Sequence, residues 1–260
     1  MMSLTVGLGA FLLYLLSAWA QKKAPSEQVS RKSYGLSLMA WTLQGIYLYL
    51  HLFTQAGLLL DFGATLSLTA WAVIGVILIS SLRNSVASLL IFAAPAAAVA
   101  VAVDTLSVPS FGGRQFSLGI LWHIVTSILS YALFAVAACQ SILLIYQNRH
   151  LKQHQASRLV ARLPPLQTME SLLFEVLAAG QLFLSIALLT GFLYLDDLWA
   201  QHVVHKTILS LVAWVIFSIL LLGHYRLGWR GRTAIRWTLW GFANLALAFF
   251  GTKLVLEFVL

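Results

Sequence analysis

Residues 117–146 read SLGILWHIVTSILSYALFAVAACQSILLIY, thirty positions without an Asp, Glu, Lys or Arg. A helix rises ~1.5 Å per residue and a hydrocarbon core is ~30 Å thick. This run therefore has length to spare for one crossing, and it predicts a helix that tilts or projects beyond the bilayer. The whole chain agrees with it. Of 260 residues, 60% are hydrophobic and 9% charged, against roughly 25% charged in soluble domains. Too little polar surface exists to coat a water-soluble globule. A transmembrane barrel would need short alternating segments, and the sequence has none. The fold class is all-α: a polytopic integral membrane helical bundle.

Outward from that run, apolar stretches recur at about 4–20, 35–55, 63–82, 86–103, 170–195, 206–225 and 237–258. Together they predict about eight transmembrane helices in one transmembrane domain over 1–260, with four in 1–116 and four in 117–260. Pro95, inside the Ala-rich fourth stretch, predicts a kink there. The first stretch carries its positive charge after the apolar run, so it is expected to remain as a helix and not to act as a secretory signal.

The net charge of +8 does not form a continuous basic face, so nucleic acid is not an expected partner. The charge is sorted by side instead. Lys22, Lys23, Arg31, Lys32, Arg83, Arg149, Lys152, Arg158, Arg162, Arg226, Arg230, Arg232 and Arg236 all fall on one side of the predicted spans. Arg114, Lys206 and Lys253 fall on the other, with Asp61, Asp104, Asp196, Asp197 and Glu257. Basic loops face the cytoplasm, so both termini are expected to be external. The lone Cys139 excludes a disulfide framework, and no phosphate-binding glycine loop is present.

The seven histidines hold most of the chemical information. His150 and His154 fall in a polar loop, whereas His51, His123, His205 and His224 lie within or at the edge of spans. Intramembrane ionisable groups are rare and face interiors or cavities, and imidazole is a common axial ligand of haem iron. From the helical rise, His51 lies ~24 Å along the second span and His123 ~9 Å along the fifth. Those two share the outer leaflet with His205, while His224 ends the seventh span at the inner edge. The plainer reading of each is a hydrogen bond to a neighbouring helix, and interfacial placement accounts most simply for His202 and His205. Trp19, Trp122, Trp199, Trp229 and Trp237 fit an aromatic belt. Trp41, Trp71 and Trp214 are expected in the core, and Glu175 and Gln181 in helix-to-helix hydrogen bonds. Lys253 and Glu257 are four apart and suit pairing or snorkelling. No catalytic dyad or triad is visible, and the chain is not expected to be an enzyme by itself.

The second half carries an ordered set of motifs. Leu121-Trp122-His123 is followed by Ser130-Tyr131-Ala132, then by Leu163-Pro164-Pro165-Leu166-Gln167-Thr168-Met169-Glu170 and Leu189-Thr190-Gly191. His224, Gly228-Trp229-Arg230-Gly231 and Phe250-Gly251 complete it. This set, over roughly 118–255, resembles the membrane proteins of cytochrome c assembly, the CcsA, CcmC and HemX-like haem-handling superfamily. Within that superfamily it is most similar to the YpjD-type proteins of the bacterial inner (cytoplasmic) membrane.

The resemblance implies haem as cofactor and its transfer toward the external face, with apocytochrome c or other cytochrome c assembly components as partners within the lipid bilayer. By position, His123 is similar to the external ligand histidine of the haem synthetases and His224 to their membrane-embedded one. His51 is carried over from its place late in the second span. A single outer haem would pair His51 with His123 as iron ligands, with His205 near the same face. The basic turn of Arg226, Arg230 and Arg232 would meet propionates or simply set topology. The chain departs from the synthetases over Asp196–His205, which holds one tryptophan where they carry a Trp-rich motif. Their second external histidine would fall near Leu260, so a complete synthetase site is not expected. A haem-free permease-like subunit or scaffold is the alternative.

Overall fold

A computed structural model describes residues 2–23, 31–82, 87–107, 113–153, 163–194 and 201–251. The described chain is helical almost throughout. Its helices are α1 (Met2–Lys23), α2 (Arg31–Leu52), α3 (Phe62–Ser80), α4 (Leu90–Leu106), α5 (Leu118–Lys152), α6 (Leu166–Tyr194), α7 (Gln201–Leu227) and α8 (Arg232–Ala246). A 3-10 turn, Ala87–Leu89, leads into α4, and a π turn, Leu247–Gly251, follows α8. Six helical segments are long and apolar enough to cross a membrane, the exceptions being α2 and α8. The protein is an all-α, polytopic membrane protein. The chain divides into two compact units, residues 1–115 with 149–164, and 116–148 with 165–260.

In the first unit α1 packs on α2 and α4, and α3 packs on α2 and α4, which closes a four-helix ring. Apolar side chains point outward from it. Leu8, Leu12, Leu16 and Trp19 of α1 are exposed, Leu12 by 56%, while Tyr14 and Ser17 are fully buried. That inversion suits a solvent of lipid tails, where burying an apolar side chain gains nothing and buried polar groups find partners. It also explains why α2 is the least apolar long helix of the unit: its buried face carries Ser33, Ser37, Gln44 and Tyr47.

Two differences from the sequence reading concern element ends. The second span stops at Leu52, and the chain turns into a small antiparallel hairpin, β1 (Phe53–Thr54) with β2 (Gly57–Leu58). Leu58 then exchanges two backbone hydrogen bonds with Arg114. The fourth span continues past 103 to Leu106, with Pro95 inside the helix. The extension matters because it places Asp104 inside the helix. Close approach at Gly63 buries it: a Cβ there would lie 2.9 Å from the Cα of Asp104.

In the second unit α5 is 35 residues long, the longest helix. It is tied to α6 by Ser130, which donates to the carbonyl of Gly180 (3.2 Å), and Gln140, which donates to that of Met169 (2.9 Å). Phe134 of α5 and Phe217 of α7 stack at 3.8 Å in the centre. Tyr131 donates to the carbonyl of Leu245, joining α5 to α8. Leu182, Leu189 and Leu193 of α6 are exposed along its outer side.

Candidate functional site

Polar side chains in the first unit form a ladder through the four-helix ring. At the end bearing Lys22, Lys23, Arg31 and Lys32, Ser17 donates to the carbonyl of Ser33 and Ser33 to that of Ser17, each at 3.0 Å. Ser37 bonds the Ser17 hydroxyl. Next, Trp41 and Trp71 stack at 4.8 Å and each indole N–H donates to the other residue's carbonyl, at 2.9 and 3.0 Å. The two tryptophans therefore pack the core, as the sequence led us to expect. Tyr14 donates to Gln44 at 2.6 Å, and Gln44 donates to the carbonyl of Ser67 at 3.0 Å.

At the far end of that ladder His51 turns its ring tip toward α4. Its Nε2 lies 3.5 Å from Oδ1 of Asp104, whose side chain is wholly buried. The imidazole stacks on Tyr47, with centroids 5.5 Å apart and planes 11° apart. At 3.5 Å the pair falls outside normal hydrogen-bond length. Both carboxylate oxygens and the Tyr47 hydroxyl are buried without a hydrogen bond among the described residues. Sequence reasoning placed Asp104 in an external loop and gave it no role. The available signal was a carboxylate one residue past an apolar run, at the depth of a histidine on another span.

The second unit holds the other two span histidines, and they share a feature that His51 lacks. Nδ1 of His123 lies 2.7 Å from the carbonyl oxygen of Ala187, on α6. A carbonyl only accepts, so Nδ1 carries the proton and Nε2 of the neutral ring keeps its lone pair. Nε2 makes no hydrogen bond among the described residues. The half-buried ring also lies within electrostatic reach of the Lys206 ammonium.

His224 repeats the arrangement at the opposite end. Its Nδ1 lies 2.9 Å from the carbonyl of Trp229, and its ring stacks on Phe174 with centroids 3.4 Å apart. The turn that brings Trp229 back depends on two glycines. Gly228 has φ +67° and donates to the His224 carbonyl at 3.1 Å, the left-handed close of a helix C-terminus. Gly231 has φ +58° and donates to Oε1 of Glu170 at 3.1 Å. The Gly-Trp-Arg-Gly motif is thus the hinge between α7 and α8, with Arg226, Arg230, Arg232 and Arg236 exposed around it.

Metal-binding histidines commonly bond the non-ligating ring nitrogen to a carbonyl or carboxylate, which fixes tautomer and orientation. His123 and His224 fit that donor chemistry. They do not converge on one iron, because their α6 neighbours Ala187 and Phe174 stand thirteen residues apart, about 20 Å by helical rise. His51 belongs to the first unit and His123 to the second. His205 of α7 is exposed. Among the described residues no three His, Cys, Asp or Glu side chains cluster as a metal site.

The remaining candidates behave as structural groups. Gln181 donates to Ser218 at 2.7 Å and Trp214 donates to Ser185 at 2.9 Å, both between α6 and α7. Glu175 is exposed, as is Trp122. The Asp196–Trp199 stretch, Arg83, His154, Arg158, Arg162, Lys253, Glu257 and Leu260 lie outside the described residues, as does the side chain of His202.

Comparison with known proteins places these motifs in one family. Inner membrane protein YpjD of Escherichia coli is 34% identical over 141 residues, 54% of this chain and 53% of the relative. An uncharacterized 28.8 kDa protein from the nifR3-like 5' region of Azospirillum brasilense is 34% identical over 165 residues, 63% of this chain and 61% of its own. Protein HemX of Brevibacillus brevis is 25% identical over 134 residues, 51% and 49% of the two chains. The chain thus spans about half to three fifths of the curated relatives it matches. No solved structure matches it. The pattern that defines the family described as "Cytochrome C assembly protein" covers residues 29–260, and the chain belongs to that family.

Proposed function

We propose that this chain binds haem and moves it across the bacterial inner membrane in cytochrome c assembly or haem traffic, as a conduit and not a catalyst. The observation that carries the reading is the paired geometry of His123 and His224. Each imidazole is half-buried in a membrane helix and bonded through Nδ1 to a main-chain carbonyl, so each can offer Nε2. Haem, once bound, supplies the iron that accepts such a nitrogen. The separation of the two histidines argues for two haem positions, an outer one at His123 and an inner one at His224. Arg226, Arg230 and Arg232 border the inner position and suit carboxylates. His51 is assigned to Asp104 and not to iron.

On this reading the chain crosses eight times with both termini external. α2 counts as a crossing because its polar residues face inward, and α8 completes the count with the π turn that extends it. The thirteen cations on one side then lie in the cytoplasm. Partners would be apocytochrome c or other assembly components at the outer face. The test is the reduced-minus-oxidised visible spectrum of the purified protein beside His51→Ala, His123→Ala and His224→Ala. Loss of part of the signal with His123→Ala, loss of the rest with His224→Ala and none with His51→Ala is the expected result. No haem signal after haem is supplied during expression would overturn the reading.

One observation favours the second reading, a haem-free scaffold or permease-like subunit. The His224–Trp229 bond also closes the α7–α8 turn, so a chain without haem would still need that histidine. A reproducible protein partner on a haem-free preparation would distinguish it.

A further inference from the structure

Lys206 is a cation at the wrong end. Of sixteen Lys and Arg residues it is one of three on the side that otherwise collects acidic groups. It is half-buried in the first two turns of α7, two residues inside the apolar segment Val204–Leu227. A lysine at a helix end ordinarily extends toward water. This one turns to the helical bundle: its Nζ lies 4.6 Å from the ring centroid of Phe249, on the π turn after α8. Phe249 is itself buried and leans on Tyr131 at 4.8 Å. Tyr131 in turn is anchored to the Leu245 carbonyl, so the surface under the ammonium is fixed from two helices.

The same corner holds His123, eight residues before Tyr131 on α5 and bonded to Ala187 near the end of α6. An imidazole nitrogen fit for iron and an ammonium held over an aromatic ring thus occupy one end of one unit. A metalloporphyrin with free carboxylates offers the matching pair: iron at its centre and an anion at its edge. Desolvation at the membrane edge strengthens a charge-assisted bond between ammonium and carboxylate.

We propose that Lys206 is a positioning residue that pairs with a carboxylate of the tetrapyrrole bound at His123, so that this outer site selects porphyrins with free carboxylates. The inference rests on the haem reading above. Its test is spectral titration of the full chain, in a His224→Gln background, with haem and with haem dimethyl ester, whose carboxylates are blocked. The native lysine should bind haem at least about tenfold tighter than the ester, the size expected for one charge-assisted bond. Lys206→Met should weaken haem binding and leave ester binding alone, so that the gap closes, while Lys206→Arg should keep the gap. Equal weakening of both ligands by Lys206→Met, or a gap that survives it, would overturn the role of Lys206 while leaving haem binding intact. Absence of haem binding to the His224→Gln chain alone would overturn the outer site and with it the role of Lys206, whereas absence from the native chain as well would overturn both inferences.

Discussion

The ring tip of His51, on α2, faces the buried carboxylate of Asp104, on α4, across 3.5 Å. Two ionisable groups inside a membrane bundle are costly alone and tolerable together. Asp104 is 1% exposed and packed against Gly63. His51→Leu and Asp104→Leu should each destabilise the protein, at about 3 kcal/mol for the variant that strands its partner. The double variant should recover most of the loss. Unfolding midpoints in detergent for the four proteins check this, and strictly additive losses would show that the two residues act separately.

His224 has two separable tasks. Its Nδ1 closes the turn onto Trp229, and its Nε2 is the proposed inner haem ligand. An asparagine amide nitrogen stands where the imidazole Nδ1 does and can still donate to the Trp229 carbonyl, but it is no ligand for haem iron. His224→Asn should therefore hold stability within about 0.5 kcal/mol, whereas His224→Ala should lose about 1 kcal/mol with the hydrogen bond. Both should lose the inner haem signal, which absorption spectra and melting curves read independently.

Gly228 stands at φ +67° as α7 ends. An alanine there pays the left-handed backbone cost of roughly 1–2 kcal/mol. Gly228→Ala should lower the unfolding midpoint and reduce the inner haem signal more than the outer one, because the same turn carries the carbonyl that orients His224.

Tyr131 buries its hydroxyl on the Leu245 carbonyl. Tyr131→Phe removes the donor and leaves the ring in place against Phe249. The expected cost is about 0.6–1.5 kcal/mol, the range for interhelical hydrogen bonds within membranes. Thermal unfolding measures it, and a larger loss would assign the hydroxyl a further partner.

The orientation proposed from the charge distribution can be mapped chemically. In a Cys139→Ser background, Arg114→Cys should react with a membrane-impermeant maleimide added to intact spheroplasts, and Arg230→Cys only after lysis. The reverse pattern would place the thirteen clustered cations outside.

Six of the eight runs read from the sequence are helices long and apolar enough to cross a membrane, and they were legible because a run of about twenty apolar residues matches the thickness of a hydrocarbon core. The sorting of charge among the loops is likewise a reading of the sequence, since the runs separate the loops that carry it. The sequence showed His224 and the two glycines as parts of one motif, and the structure joined them into a turn through the Trp229 carbonyl. What the sequence by itself left open was the rotation of each helix about its axis. In water, a stripe of apolar residues marks the buried face. In lipid that contrast disappears, because Leu12 facing the bilayer and Ile74 facing the core meet equally apolar surroundings. Only the tertiary structure therefore decided that Ser33, Ser37, Gln44 and Tyr47 line the inside of α2. It alone carried α4 past residue 103, which turned Asp104 from a loop charge into the partner of His51. Tertiary structure also set Lys206 over Phe249. Such pairings form between helices far apart in the chain, and no local spacing encodes which helix will be the neighbour.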